Sequence, residues 1–248
     1  MHIKVVQTHR VQCGESLHAI LDQYIPALQE QSIVAITSKI ISFCQGKVIE
    51  KTSCSKEELI QKEADAILEA PSGPSGICLT MKDGILIPSA GIDESNGDDL
   101  YILYPANIQK TAIELWTHLR NKNNIKNLGI IITDSHTTPL RRGVTGIALG
   151  WCGFEPLYSY IGKPDIYGTP LKFTQVNLLD ALAATAVLMM GEGAEQTPIA
   201  IIQDSPKINF LSRIPTSEEE VSISIPMEED LYAPFLMKAS WIWKKLDR

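Results

Sequence analysis

The sequence predicts a mixed fold of α-helices and β-strands in one domain, and three observations carry that expectation. Short β-branched runs alternate with stretches whose apolar residues recur at helical spacing. Two strand-like runs flank Lys82-Asp83-Gly84, the signature of a hairpin. The chain has 248 residues, 44% hydrophobic and 21% charged, which is enough to bury a sizeable core. No linker, repeat or low-complexity tract divides it, so residues 1–248 are expected to form a single domain.

From the amino end, Ile3 to Val6 reads as a strand and Leu17 to Leu28 as a helix entered through Gly14-Glu15-Ser16. Ser32 to Ile36 is an apolar β-branched strand. Thr37 to Gly46 suits either a strand that ends in a turn or a phosphate contact through Ser38, Lys39 and Ser42, without Walker spacing. Helical spacing runs from Lys56 to Leu68, with Ser55 as its N-cap, until PSGPSG at 71–76 breaks it. Ile77 to Met81 and Ile85 to Pro88 form the expected hairpin, Tyr101 to Tyr104 a strand and Ile108 to Leu119 a helix. Leu128 to Thr133 is the most strand-like run and is expected to end at Asp134. The glycine-rich stretch Val144 to Phe154 and the turn-rich Lys163 to Pro170 read as irregular, site-forming backbone. Asn177 to Met190 is a buried helix stopped by Gly191, and Ile199 to Ile202 a strand. Near the carboxyl end VSISI reads as an exposed strand and WIWKKL as a helix.

Composition excludes several classes. Twenty-two basic against 29 acidic side chains leave a net charge of −7, and no basic face is visible, so nucleic acid is not an expected partner. Five scattered cysteines without a C-x-x-C pair argue against a disulfide framework or zinc cluster and suit a reducing cytosol. The start MHIKVVQTHR has no apolar h-region, and the apolar run Ala181 to Met190 is too short to span a bilayer. A cytoplasmic protein with no membrane partner is expected.

Chemistry can sit at the ends of the apolar elements. Asp93 and Asn96 follow the hairpin in AGIDESN, a segment that also suits a solvated turn. Asp134, Ser135 and His136 end the LGIIIT strand, with Arg141 and Arg142 within eight residues; a hard-metal ligand beside phosphate partners suits phosphoryl transfer, although a capped strand end with surface arginines has the same pattern. Glu192 in MGEGAE is either a metal ligand or part of a solvated helix end. The other histidines have no partner at ligand spacing, and G-x-S-x-G, Walker A and dinucleotide fingerprints are absent.

Taken in order, AGIDESN, ITDS followed by RRGVTGIALG, DIYGTPL, LMMGEG and PMEEDLY resemble the coenzyme F420 gamma-glutamyl ligase family nearly end to end. The resemblance implies an α+β fold with mixed or antiparallel sheets and packed helices, in an intertwined homodimer. It also implies joining of L-glutamate to a deazaflavin coenzyme precursor with GTP, Mn²⁺ or Mg²⁺ at two sites, and K⁺. Carried over, Asp93 and Asp134 resemble ligands of one metal, and Ser135 and Glu192 ligands of a second. The segment Thr8, His9, Arg10 and Val11, together with Ser38, Lys39, Asn96, Met190, Gly191 and Gly193, is implied near the nucleotide, and Asp134, Arg141 and Arg142 are the expected catalytic residues. The chain departs from the family where Phe43 replaces a lysine, where S-H-T-T-P-L-R-R-G lacks an arginine and a tryptophan, and in the Thr8 to Val11 loop. Those departures leave a folate acceptor, or nucleotide and metal binding without turnover, as alternatives.

Overall fold

The computed structural model describes residues 1–69 and 77–244. The PSGPSG segment lies outside them, as do the last residues of WIWKKL. In chain order the elements are β1 (His2–Val6), α1 (Leu17–Tyr24), β2 (Ser32–Thr37), α2 (Ser38–Cys44), β3 (Val48–Glu50), α3 (Lys56–Glu63), β4 (Ala66–Leu68), β5 (Leu79–Lys82), β6 (Ile85–Pro88) and β7 (Leu100–Ile102). They continue as α4 (Ile108–Asn123), β8 (Leu128–Thr137), β9 (Val144–Cys152), β10 (Leu157–Ser159), β11 (Gln175–Asn177), α5 (Leu178–Met190), β12 (Ile199–Gln203), α6 (Ser217–Glu220), α7 (Ala233–Leu236) and β13 (Trp241–Trp243).

The class is α+β, built around a mixed sheet ordered β1-β12-β2-β8-β9. Within it β2 and β8 run parallel and the other neighbours antiparallel. Its central strands are apolar on both faces because helices cover both. On one face Ile20 and Leu21 of α1, Ile41 of α2 and Leu115 and Leu119 of α4 pack on Val34, Ile36, Ile130 and Ile132. On the other Leu179, Leu182 and Ala186 of α5 pack on Ala35, Ile131 and Ala200. A second, antiparallel sheet ordered β13-β4-β5-β6 and the β3-β7 ribbon lie beside a smaller core of Leu59, Ile60, Ala90, Ile92 and Leu103.

Local signals set most boundaries. Ser16 caps α1, Ser55 and Glu58 form a capping box on α3, and Asn177 accepts from the Asp180 amide to start α5. The β5-β6 hairpin turns through Asp83 and Gly84, both at positive φ, as expected.

Several expectations need correction. Thr37 to Gly46 is neither strand nor simple turn: α2 follows β2 directly. The helix from Lys56 stops at Glu63, because Ala64 adopts an extended conformation and Ala66–Leu68 pairs between β5 and β13. The LGIIIT strand does not end at Asp134 but runs to Thr137, held by pairing of Thr133–Thr137 with Val144–Ala148. The glycine-rich stretch from Val144 is a regular strand, β9. Its glycines serve helix packing: a Cβ at Gly146 would lie 2.4 Å from the Ala183 carbonyl oxygen of α5, and one at Gly150 would lie 2.9 Å from Ile108 of α4. A bulge opposite Ile132 and Thr133 turns successive glycines toward opposite helices. VSISI forms turns, with the Ser222 and Ser224 amides donating to the Glu219 and Val221 carbonyls, and the WIW of the expected terminal helix is strand β13. Among the described residues no helix is long and apolar enough to cross a membrane.

Candidate functional site

Register places the site. Val6, Ile199, Ile36 and Ile132 lie in one row across the central sheet. Because β1, β2 and β8 leave that row at their carboxyl ends and β12 enters it, four segments emerge on the same side: Thr8 to Val11, Thr37 to Lys39, Asp134 to Ser135, and the stretch from Met190 to Pro198. They surround a cavity of about 430 Å³, closed on a fifth side by Asp93, Asn96 and Asp98. Ligands in open sheets gather where several strands deliver their ends together, and this is such a place.

Backbone bonds fasten the rim. The Thr8 amide donates to the Gln196 carbonyl at 3.0 Å and the Thr37 amide to that of Pro198 at 3.0 Å. Asp93 is anchored by reciprocal backbone bonds to Ile102, each 2.9 Å. Two side-chain contacts carry the 93–99 loop across the cavity mouth: Asn96 Nδ2 donates to the Gly193 carbonyl at 2.9 Å, and Arg10 pairs with Asp98 at 3.0 Å. His9 bridges Tyr24 and Glu15, each at 2.8 Å, which stiffens the first loop.

The electrostatics are acidic. Asp93, Asp98, Asp134, Glu192 and Glu195 face the cavity against the Lys39 and Arg10 cations. Lys39 Nζ lies 2.7 Å from Asp93 Oδ2 and donates to Ser95 Oγ at 3.0 Å. Burial raises the Asp93 carboxyl, but Lys39 and the Ser95 amide outweigh it and hold it below the usual carboxylate range. Among the described residues Asp134 accepts a hydrogen bond only from the Ser135 amide, at 2.9 Å, and it is pushed up to about 7, chiefly by burial. Desolvation, joined by the Asp93 and Glu195 charges, raises Glu192 as well.

Most of the expected residues meet here. Thr8, His9, Arg10, Val11, Lys39, Asp93, Asn96, Asp134, Ser135, Met190, Gly191, Glu192 and Gly193 all line the cavity. Phe43 lines it too, one helical turn beyond Lys39. Ser38 does not; it is buried at the start of α2. Arg141 and Arg142 are exposed at the β8-β9 turn, outside the cavity wall of this chain, because β8 carries that turn three residues past Asp134 before it begins. The DIYGTPL and PMEEDLY segments also lie away from the wall.

Sequence reasoning missed Asp98, Glu195 and Thr197 on the rim, and Tyr104 behind Asp134. For Glu195 a signal existed, in the glycines before it: its carboxylate accepts from the Gly193 amide at 2.8 Å and lies where a Cβ of Gly191 would stand.

Comparison with known proteins identifies the family. The family model described as F420-0:Gamma-glutamyl ligase matches residues 5–204, the span that contains every cavity segment. A coenzyme F420:L-glutamate ligase of Methanopyrus kandleri is 32% identical over 212 residues, 78% of this chain and 82% of the relative. One from Methanococcus maripaludis is 32% identical over 194 residues, covering 72% and 78%. One from Methanosarcina acetivorans is 29% identical over 241 residues, covering 90% and 89%. With the carboxylates, glycines and lysine of the cavity all inside the matched span, the chain belongs to the F420-0:gamma-glutamyl ligase family.

Proposed function

We propose that this protein is a GTP- and divalent-metal-dependent ligase that joins L-glutamate to a carboxylate of an acidic, F420-0-like coenzyme through an acyl phosphate. The observation that carries the reading is the convergence of Asp93, Asp134, Glu192 and Lys39 on one cavity of about 430 Å³. A carboxylate is a poor acyl donor. Transfer of the terminal phosphoryl group to its oxygen, with release of the nucleoside diphosphate, gives an acyl phosphate; the amine of glutamate then attacks the acyl carbon, phosphate leaves, and the amine gives up a proton.

The donor set fits hard divalent cations. Its oxygens are carboxylates and a serine hydroxyl, and five carboxylates facing Lys39 and Arg10 repel a triphosphate and an acidic acceptor unless further positive charge enters. No three His, Cys, Asp or Glu side chains are drawn together among the described residues, and Lys39 Nζ lies 2.7 Å from Asp93 Oδ2. Asp93 and Asp134 would hold one Mn²⁺ or Mg²⁺, and Ser135 and Glu192 a second; cations bound there would supply positive charge against the phosphoryl group. Lys39, Asn96 and the Thr8 to Val11 loop hold the nucleotide. The charge stabilisation expected of Arg141 and Arg142 falls in this reading to Lys39. A K⁺ requirement and a homodimer complete the proposal. The dimer is supported by Ile166, Tyr167 and Phe173, about nine-tenths exposed on the 160–174 segment. The free thiols support a cytoplasmic setting.

The test is an assay of purified protein with labelled L-glutamate, F420-0 or folate as acceptor, GTP or ATP, and Mn²⁺ or Mg²⁺. The expected result is glutamate incorporation into F420-0 with GTP and one phosphate released per amide formed. Nucleotide binding without turnover on either acceptor overturns the reading. Asp134→Asn is expected to abolish metal-dependent nucleotide binding in calorimetry without unfolding the chain.

A further inference from the structure

We propose that Tyr104 is a positioning residue of this site, its hydroxyl orienting the Asp134 carboxylate toward the cavity. The proposal rests on the reading of Asp134 as a metal-binding carboxylate. Tyr104 is 6% exposed, and its hydroxyl is buried without a hydrogen bond of good geometry among the described residues. Of the charged groups around it, Asp134 acts on it most strongly, ahead of Asp83. Buried hydroxyls are ordinarily paired, and phenylalanine fills the same space without an unpaired group, so packing does not account for the phenol. Arg120 Nε and Trp151 Nε1 are also buried and unpaired; none of the three residues lines the cavity itself, but Tyr104 stands behind Asp134, which does.

The ring has a place prepared for it. Ser89, Ala90 and Gly91 all adopt positive φ, and a Cβ on Gly91 would stand 2.2 Å from the Tyr104 ring. The turn is held by the Ala90 amide, which donates to Thr80 Oγ1 at 2.7 Å. Two residues later the same segment delivers Asp93, whose backbone pairs with Ile102, two residues before Tyr104. One turn therefore seats both a cavity carboxylate and the phenol behind a second. Because Ser135 occupies Asp134 Oδ1 from its own backbone, a donor from Tyr104 supplies the further contact that fixes the direction of the carboxylate.

The experiment titrates Mn²⁺ alone into wild type, Tyr104→Phe and Asp134→Asn by calorimetry, records the electron paramagnetic resonance spectrum of the bound ion, and measures the thermal midpoint of each metal-free protein. The expected result for Tyr104→Phe is roughly tenfold weaker Mn²⁺ binding and an altered spectrum, with a thermal midpoint no lower than wild type. Wild-type affinity and spectrum in Tyr104→Phe overturn the proposal while leaving the site reading intact. Failure of wild type to bind Mn²⁺, or equal binding by Asp134→Asn, overturns the reading of Asp134 and this proposal with it.

Discussion

At the scale of residues, Lys39 and Phe43 are the positions that test the proposed nucleotide reading of this cavity. They stand four residues apart on α2 and both line the wall, so the cation present in this chain is one turn nearer the Asp93 end than position 43. Lys47 is not on the wall. Lys39→Ala is therefore expected to weaken GTP binding about ten- to a hundredfold in saturating Mn²⁺, the loss of a charge-assisted hydrogen bond, while Lys47→Ala leaves it unchanged. Equal loss in both variants, read by calorimetry, refutes that assignment. Cys152 gives a second prediction. Burial pushes its thiol up to about 12 from an ordinary value of 9.0. The thiolate is favoured only in the unfolded chain between those values, so the contribution to stability is complete below pH 9 and is lost as pH rises toward 12. Urea unfolding should show stability falling by about 1.4 kcal/mol per pH unit from this group above pH 9, and Cys152→Ala should flatten that slope. Asp93, Asp134 and Glu192 were legible in the sequence because each is a carboxylate within two residues of an apolar stretch. Tyr104 was not, since an aromatic residue at the end of a strand-like run says nothing about the carboxylate that another strand brings beside it.

At the scale of elements, the pattern of apolar residues carried further than the pattern of glycines. β2, β12, the first half of β8 and most of α5 are dominated by apolar residues, and burial between the sheet and the helices on its two faces is the reason. Glycines in β9 looked like loop signals, yet they admit α5 and α4 at distances no side chain allows. Gly146→Ala should destabilise the protein by about 1–3 kcal/mol through its approach to the Ala183 carbonyl. A urea midpoint equal to wild type would show that α5 shifts without cost. The β8-β9 hairpin also explains why Arg141 and Arg142 lie off the cavity wall. Strand residues advance about 3.3 Å each, so continuation of β8 beyond Asp134 moves the turn outward, whereas a strand ending there would have kept the arginines near.

At the scale of the whole molecule, the main sheet gathers its functional segments at one end because β1, β2 and β8 share an exit direction that β12 reverses. The opposite surface problem is apolar exposure. Ile166, Tyr167 and Phe173 are nearly bare, and Leu188 on α5 is 79% exposed. Sedimentation is expected to give twice the chain mass at micromolar concentration; a single-chain mass would remove the support this surface offers for the dimer.

The amino-acid sequence, read alone, was sufficient for the elements with unbroken apolar or capped patterns, for the acidic character of the site, and for the family. Burial and capping are local to a few residues, and the family motifs are contiguous, so both can be read along the chain. Tertiary structure alone decided where strands continued, which glycines were contact points, and which polar groups shared the cavity. Those outcomes depend on partners dozens of residues away or on close approaches that no local pattern shows: Val144–Ala148 extends β8, Ala183 demands Gly146, and the Tyr104 ring fits only because Gly91 has no side chain.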